Sequence, residues 1–117
     1  MALTIQTKSS DGVCVLVPEG RIVIGSEVTT LREKIRDLLA AGHKDFLVNL
    51  ANVTYMDSTG VGALVGSFVT IRNQGGQMKL SNLSQRTRDL LLVTKVQTVF
   101  DVFDNEADGI KSFADKG

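Results

Sequence analysis

The sequence has few of the residues on which metal-based or covalent chemistry depends. Its 117 residues include one cysteine, one histidine, one proline and no tryptophan. A single cysteine excludes a disulfide framework within the chain, and one cysteine with one histidine does not make a credible zinc site. Cys14 lies in an alternating apolar stretch, which predicts a thiol packed in the core. We therefore expect a reducing environment and no bound metal or cofactor.

The sequence also carries no net charge, no signal-peptide pattern in its first residues and no long apolar run. Lysine and arginine number 13 and aspartate and glutamate 13, so the formal net charge is zero. A nucleic-acid-binding domain should carry a basic footprint, which this composition lacks. The first residues do not have the basic-then-apolar order of a signal peptide, and no apolar run approaches membrane-spanning length. These absences predict a cytoplasmic protein without nucleic-acid or membrane partners.

Alternating apolar and polar residues predict two half-buried strands at the start of the chain. The Ser10-Asp11-Gly12 turn joins them into a hairpin, and Pro18-Glu19-Gly20 is predicted to close the second strand. Further strands are predicted over residues 46–50, around residues 78–80 and, as a short final strand, over residues 96–100. The alternating positions of the hairpin are Leu3, Ile5, Thr7, Val13, Val15 and Val17.

Four segments carry apolar residues at helical spacing. Ser26, Ser84 and Asn105 are predicted to cap the first, third and fourth helices, Gly42 to end the first, and the second to cover residues 61–72. The four apolar faces are, in chain order, Val28, Leu31, Ile35, Leu38 and Leu39; Val61, Leu64, Val65, Phe68, Val69 and Ile71; Leu90, Leu91 and Val93; and Ala107, Ile110 and Phe113.

Strands that alternate with helices of this length imply βαβ units. We therefore predict an α/β fold: a single domain over residues 1–117, with a mixed, mostly parallel sheet of four to five strands and about four helices packed against it. In such sheets the loops at the carboxyl ends of the strands gather on one edge, where ligands or partners bind. Residues 20–26, 52–58 and 81–84 should share that edge.

The stretch from Asn52 to Val65 lies where function is expected, between a buried strand and the second helix. It places Asp57, Ser58 and Thr59 at a helix start, where backbone N–H groups lack intrahelical acceptors. Local chemistry favours Ser58 as a helix cap over a functional hydroxyl. Asp57 either stabilises the helix dipole, which we prefer, or orients an incoming hydroxyl acceptor or binds a metal.

The same stretch of sequence matches the known catalytic and nucleotide-binding motifs poorly. A nucleophile elbow G-x-S-x-G around Ser58 would need glycine where Met56 stands, and His43 is expected at the opposite edge. Gly60, Gly62 and Gly66 miss the spacing of the dinucleotide fingerprint. These glycines are better explained as allowing a close helix approach or a flat exposed face. A hydrolase using Ser58, or a phosphate- or nucleotide-binding role for the helix start, is therefore a weaker reading.

One run carries a resemblance to a known family. An apolar strand is followed by Asp-Ser-Thr-Gly, an aliphatic residue, a second glycine and a helix, and this pattern resembles the signature of the STAS family, the bacterial anti-sigma factor antagonists. The resemblance covers nearly the whole chain. Its segments are Val53-Thr54-Tyr55-Met56-Asp57-Ser58-Thr59-Gly60-Val61-Gly62-Ala63-Leu64, Glu19-Gly20-Arg21-Ile22, Gly75-Gly76 and Val99-Phe100.

The resemblance implies a regulatory protein and not an enzyme. Members bind an anti-sigma factor, often one with a histidine-kinase-like ATPase fold, and so free a sigma factor. That partner phosphorylates the serine after the aspartate, here Ser58, which disrupts the complex until a serine phosphatase restores it. We expect a monomer or weak dimer, because the edge strands of the sheet leave dimerisation open. The expected partner-binding residues are Arg21, Val23, Ser26, Asp57, Ser58, Thr59, Gly60 and Gly62.

Two departures from the family pattern matter. Many members carry an acidic residue in the loop before the first helix, where this chain has Val23, and this puts the usual interaction with a kinase in question. Thr59 follows Ser58 and offers a second hydroxyl for phosphorylation. An alternative within the same family is therefore a non-phosphorylated scaffold subunit, either of a stressosome or of a lipid-transport complex.

Overall fold

Residues 3–114 are described by a computed structural model. The predicted α/β class with four helices is confirmed, and the sheet has six strands rather than four to five. The additional strand is β4, which sequence patterns did not reveal because it is short and its middle residues face solvent. In chain order the elements are β1 (Thr4–Ser10), β2 (Val13–Ile22), α1 (Ser26–Ala40), β3 (Asp45–Asn49), β4 (Val53–Met56), α2 (Ser58–Asn73), β5 (Gln77–Ser81), α3 (Gln85–Val93), β6 (Val102–Phe103) and α4 (Glu106–Ala114).

The sheet is assembled on β2. Its first half pairs antiparallel with β1, through a hairpin whose two turn residues, Asp11 and Gly12, both have positive φ angles, as an Asp-Gly type I′ turn requires. β2 also pairs in parallel with β3 and, near its end, with β4. The prediction that β2 closes at residues 18–20 is wrong, because a bulge between Gly20 and Arg21 lets the strand continue to Ile22.

Helices cover both faces of the sheet, whose strand order is β1-β2-β3-β5-β6 with β4 attached to β2. The larger core contains Cys14 and Leu16 of β2 with the buried faces of α1, α2 and α3. The smaller core contains Val13, Val15 and Leu47 under Phe113 of α4. Residues 13–16 are therefore buried on both faces, whereas alternation predicted a half-buried strand.

Most predicted helix ends are confirmed. After α1, the N–H of Gly42 donates to the carbonyl of Leu39 and that of His43 to Leu38, which is a Schellman ending with glycine at a φ of 104°. Ser84 and Asn105 cap α3 and α4 by accepting from the N–H groups of Thr87 and Asp108.

The cap predicted for α1 is wrong. Gly25 occupies that position, at a φ of 112° and without a side-chain cap, so Ser26 is the first helical residue. The last strand was also misplaced. Residues 97–99 form a turn that carries Phe100 into the core against Phe68, and the strand follows at Val102.

The predicted apolar faces of α2 and α3 each include a residue that is exposed in the structure. Val93 of α3 is 77% exposed and Val69 of α2 is 49% exposed, while Leu91 and Leu64 are buried as predicted. None of the helices within residues 3–114 is long and apolar enough to cross a membrane.

Candidate functional site

The candidate site lies where β2 and β4 end beside each other. The N–H of Asp57 donates to the carbonyl of Ile22 at 3.3 Å, and the N–H of Ile24 donates to Asp57 Oδ2 at 3.1 Å. A shallow pocket lined by Ser84, Arg86 and the β4 residues brings the start of α3 to the same edge. The prediction that residues 20–26, 52–58 and 81–84 share one edge is confirmed.

Asp57 is the N-cap of α2. Its Oδ1 accepts from the N–H of Gly60 at 2.8 Å while its Oδ2 accepts from Ile24 in the neighbouring loop. The carboxylate therefore both caps the helix and ties the β2–α1 loop to the helix start. The structural reading of Asp57 fits this geometry, and the interpretation of Ser58 as the cap is wrong.

Ser58 occupies the first position of α2 and is exposed. Its hydroxyl makes no hydrogen bond to any residue of the described chain, because Asp57 already performs the capping role. Thr59 is less exposed than Ser58. At a helix start, free N–H groups and the helix dipole favour a negative charge. Of the two neighbouring hydroxyls, that of Ser58 is the more accessible and lies where an anion is tolerated.

The glycines of α2 serve two different purposes. A Cβ on Gly60 would overlap the carbonyl oxygen of Ile22 and lie 2.7 Å from Cγ of Met56, so this glycine permits the close approach of α2 to β2 and β4. Gly62 and Gly66 have no atom within 4 Å of such a Cβ, and both are exposed. Ser58, Gly62 and Gly66 recur at intervals of four residues and therefore form one flat face of the helix.

The loop between β2 and α1 adds apolar surface next to Ser58. Ile24 is 70% exposed, Val23 is half-buried, and Ser26 is exposed. An isoleucine this exposed, held by its own N–H to Asp57, is presented to solvent by a fixed backbone rather than by a loose loop. The loop thus offers Ile24 as an exposed apolar contact beside the start of α2.

An aromatic and cationic cluster that sequence reasoning missed lies on β4. The guanidinium carbons of Arg21 and Arg86 lie 5.6 Å and 6.0 Å from the ring centroid of Tyr55, which is 42% exposed. Neither arginine forms an ion pair within residues 3–114. Arg21 was predicted as a contact residue, but Tyr55 and Arg86 were not, because Arg86 reaches this place only through the packing of α3.

The remaining chemistry-bearing residues lie elsewhere. His43 is in the turn after α1, with its ring 6.5 Å from that of Phe46, and does not meet Ser58. Cys14 is buried in the core as predicted, and desolvation raises the pKa of its thiol against the opposing charge of Lys34. Within the described residues, no three histidine, cysteine, aspartate or glutamate side chains are grouped to hold a metal ion.

The fold and the edge define a class: an α/β protein with helices on both faces of a mixed sheet and an exposed serine at one helix start. The family model of the STAS domain matches residues 4–109. An anti-sigma-B factor antagonist of Bacillus subtilis (strain 168) is 40% identical over 81 residues, which cover 69% of this chain and 73% of that protein. The chain belongs to the STAS family.

Solved structures show the same fold. The crystal structure of an anti-sigma factor antagonist from Mycobacterium paratuberculosis aligns with a TM-score of 0.85 and 19% identity, covering 97% of this chain and 95% of that one. The Bacillus cell fate determinant SpoIIAA in its phosphorylated form aligns with a TM-score of 0.72 and 20% identity, covering 94% and 99%. At these identities the likeness establishes the fold alone.

Proposed function

We propose that this protein is an anti-sigma factor antagonist that is switched off by phosphorylation of Ser58. The observation that carries the proposal is the exposed and unbonded hydroxyl of Ser58 at the first position of α2. Because Asp57 caps the helix, Ser58 is free to be modified without loss of a structural hydrogen bond. The name of the Bacillus subtilis relative, an anti-sigma-B factor antagonist, supports the antagonist role.

The switch follows from charge. A phosphoryl group on Ser58 adds about −1.5 to −2 charges beside the carboxylate of Asp57, in the middle of the contact surface. The α2 N-terminus favours an anion, so the phosphorylated protein stays folded. A partner that covers Ser58 would have to desolvate the added charge, and the complex therefore dissociates.

The proposed contact surface combines the flat face of α2 with the β2–α1 loop. We include the predicted residues of both elements and add Ile24, Tyr55 and Arg86 because of their exposure and position. The residues predicted from the sequence are Arg21, Val23, Ser26, Asp57, Ser58, Thr59, Gly60 and Gly62.

The proposed partner is a cytoplasmic anti-sigma factor with a histidine-kinase-like ATPase fold, which phosphorylates Ser58, and a serine phosphatase reverses the reaction. The protein itself acts by binding and not by catalysis. A monomer suffices for this mechanism, because the surface around Ser58 is contained in one chain.

Intact-mass spectrometry tests the switch. The protein is incubated with ATP and the purified kinase-like anti-sigma factor from its own operon. We expect one phosphoryl addition that is absent from Ser58→Ala and retained by Thr59→Val. Phosphoryl transfer that persists in Ser58→Ala and disappears in Thr59→Val would show that Thr59, and not Ser58, is the phosphorylated residue.

A second candidate is a non-phosphorylated scaffold subunit. Val23 favours it, because this half-buried side chain replaces the acidic residue common in the family and makes the loop apolar. Stable binding to the anti-sigma factor in the presence of ATP without any phosphoryl transfer would support the scaffold role over the switch. Restoring an acidic side chain in Val23→Asp would then test whether that residue is the cause.

A further inference from the structure

A groove between α1 and α2 is separate from the edge that carries Ser58. Its volume is about 260 Å³. One wall is formed by α1 and presents two arginines, and the other is formed by α2 and presents small residues. The groove is lined by Arg32, Ile35, Arg36, Gly66, Ser67 and Thr70.

The two arginines are unneutralised. Arg32 and Arg36 are four residues apart on α1, so their guanidinium groups share one side of the helix and repel each other. Both are exposed, and neither forms an ion pair or a hydrogen bond within the described residues. Glu33 and Asp37, the neighbouring carboxylates on α1, do not lie within ion-pair distance of either guanidinium group.

The α2 wall offers close access to the backbone of the helix. A Cβ on Gly66 would meet no atom within 4 Å, so a segment of another chain can approach the backbone closely there. Ser67 is 6% exposed and lines the groove. The Thr70 hydroxyl donates to the carbonyl of Gly66 at 3.0 Å. The α2 wall is therefore made of small side chains, which leave room for a segment of another chain in the groove.

We propose that this groove binds an acidic segment of the partner protein, whose carboxylates are held by Arg32 and Arg36. The planar guanidinium forms paired hydrogen bonds with a carboxylate, which makes two adjacent arginines a specific receptor for acidic side chains. This proposal rests on the proposed function and names the chemistry of the partner.

The groove continues the proposed contact surface. Ser58, Gly62 and Gly66 lie on one face of α2, and Gly66 also lines the groove. A partner seated over Ser58 and extending along α2 therefore reaches the two arginines. Ser58 would report the phosphorylation state, while Arg32 and Arg36 would steer the encounter and fix its orientation.

The first test compares two variants with equal loss of charge. Arg32→Gln/Arg36→Gln removes the groove cations, and Lys95→Gln/Lys111→Gln removes two exposed cations from other surfaces. Binding of the anti-sigma factor is measured by biolayer interferometry at about 50 mM and about 300 mM NaCl. We expect the groove variant to bind about tenfold more weakly at low salt and with a smaller salt dependence, and the control to match the wild type.

The outcomes separate the two proposals. If the wild type binds and the groove variant binds equally well with the same salt dependence, the groove proposal is overturned while the antagonist role stands. If the wild type does not bind the anti-sigma factor at all, the antagonist role fails. Circular dichroism of both variants checks that each remains folded.

An NMR titration tests the groove without the partner. Hexaglutamate is added to the ¹⁵N-labelled protein, and inorganic phosphate is added to a second sample. We expect hexaglutamate to shift the amide signals of Gly66, Ser67 and Thr70 in the wild type and the lysine control but not in the groove variant. Shifts with phosphate alone would mean a small-anion site, and no shift with hexaglutamate would mean no receptor for acidic segments; either result overturns the proposal.

Discussion

The carboxylate of Asp57 holds the backbone of Ile24, accepting its N–H at 3.1 Å while its other oxygen caps α2. One side chain therefore fixes the apolar loop and the helix start relative to each other. It also leaves the adjacent Ser58 hydroxyl without a structural role. Under the proposed function, Asp57 therefore stabilises the site while Ser58 regulates it, and both roles can be tested.

Because Asp57 is the cap, we expect Asp57→Ala to lower the free energy of unfolding much more than Ser58→Ala does. Loss of the cap and of the bond to Ile24 should lower the free energy of unfolding by about 2 kcal/mol, as for the strongest N-caps. Removal of the exposed Ser58 hydroxyl should change it by less than about 0.5 kcal/mol. Urea denaturation monitored by circular dichroism measures both. Equal losses of unfolding free energy for the two variants would mean that the Ser58 hydroxyl stabilises the helix start as much as the Asp57 carboxylate does.

The proposed phosphorylation switch predicts that Ser58→Asp weakens binding of the anti-sigma factor without unfolding the protein. A carboxylate at the first helical position is favoured by the dipole by about 0.3–1 kcal/mol, so thermal stability should be unchanged or higher. Calorimetric titration should show reduced affinity for Ser58→Asp and wild-type affinity for Ser58→Ala. Wild-type affinity in Ser58→Asp would rule out a charge switch at this position.

The glycines of α2 give a matched series. Gly60→Ala should destabilise the fold severely, by about 2 kcal/mol or more, because its Cβ would overlap the Ile22 carbonyl. Gly62→Ala meets open space and should stabilise the helix by about 0.5–1 kcal/mol, since alanine has the higher helix propensity.

Binding distinguishes the role of Gly62 from that of a neutral surface glycine. If a partner lies closely on the flat face of α2, the more stable Gly62→Ala protein should nevertheless bind the anti-sigma factor less tightly. A gain in stability with no change in affinity would place the contact elsewhere. Denaturation and calorimetric titration of the same preparation decide the matter.

Apart from β4 and the position of the last strand, the sequence predicted the order of elements and the shared edge, because both follow from local periodicity and turn chemistry. It placed Asp57 and Ser58 at the right helix start but assigned the cap to the wrong residue, since either side chain can accept from a free N–H. Asp57 caps the helix through the N–H of Gly60, and its other carboxylate oxygen reaches Ile24 across 33 positions of sequence. No local pattern contains that contact.

The parts that were missed depend on tertiary packing. The two-sided burial of Val13 and Val15 needs α4, which lies at the far end of the chain. The groove between Arg36 and Ser67 exists only once α1 and α2 lie side by side. The placement of Arg86 beside Tyr55 likewise follows from the docking of α3.

The attachment of α4 predicts a specific acid sensitivity. Glu106 joins Lys8 at 2.7 Å and Asn49 at 3.0 Å. Partial burial opposes ionisation of this carboxyl, but the hydrogen bonds from both neighbours and the charge of Lys8 outweigh it and lower its pKa. Its stabilising contribution should therefore be complete at neutral pH and be lost as the pH falls from about 4.5 through the lower pKa of the folded state. Urea denaturation of the wild type and Glu106→Gln should give a stability difference that is constant above about pH 5 and shrinks below it.

Lys8→Ala raises the pKa of Glu106 towards its ordinary value, so in that background the pH dependence of the Glu106→Gln difference should become smaller. A difference that stays constant down to about pH 3 would mean that the ionised carboxylate does not hold α4 against the sheet.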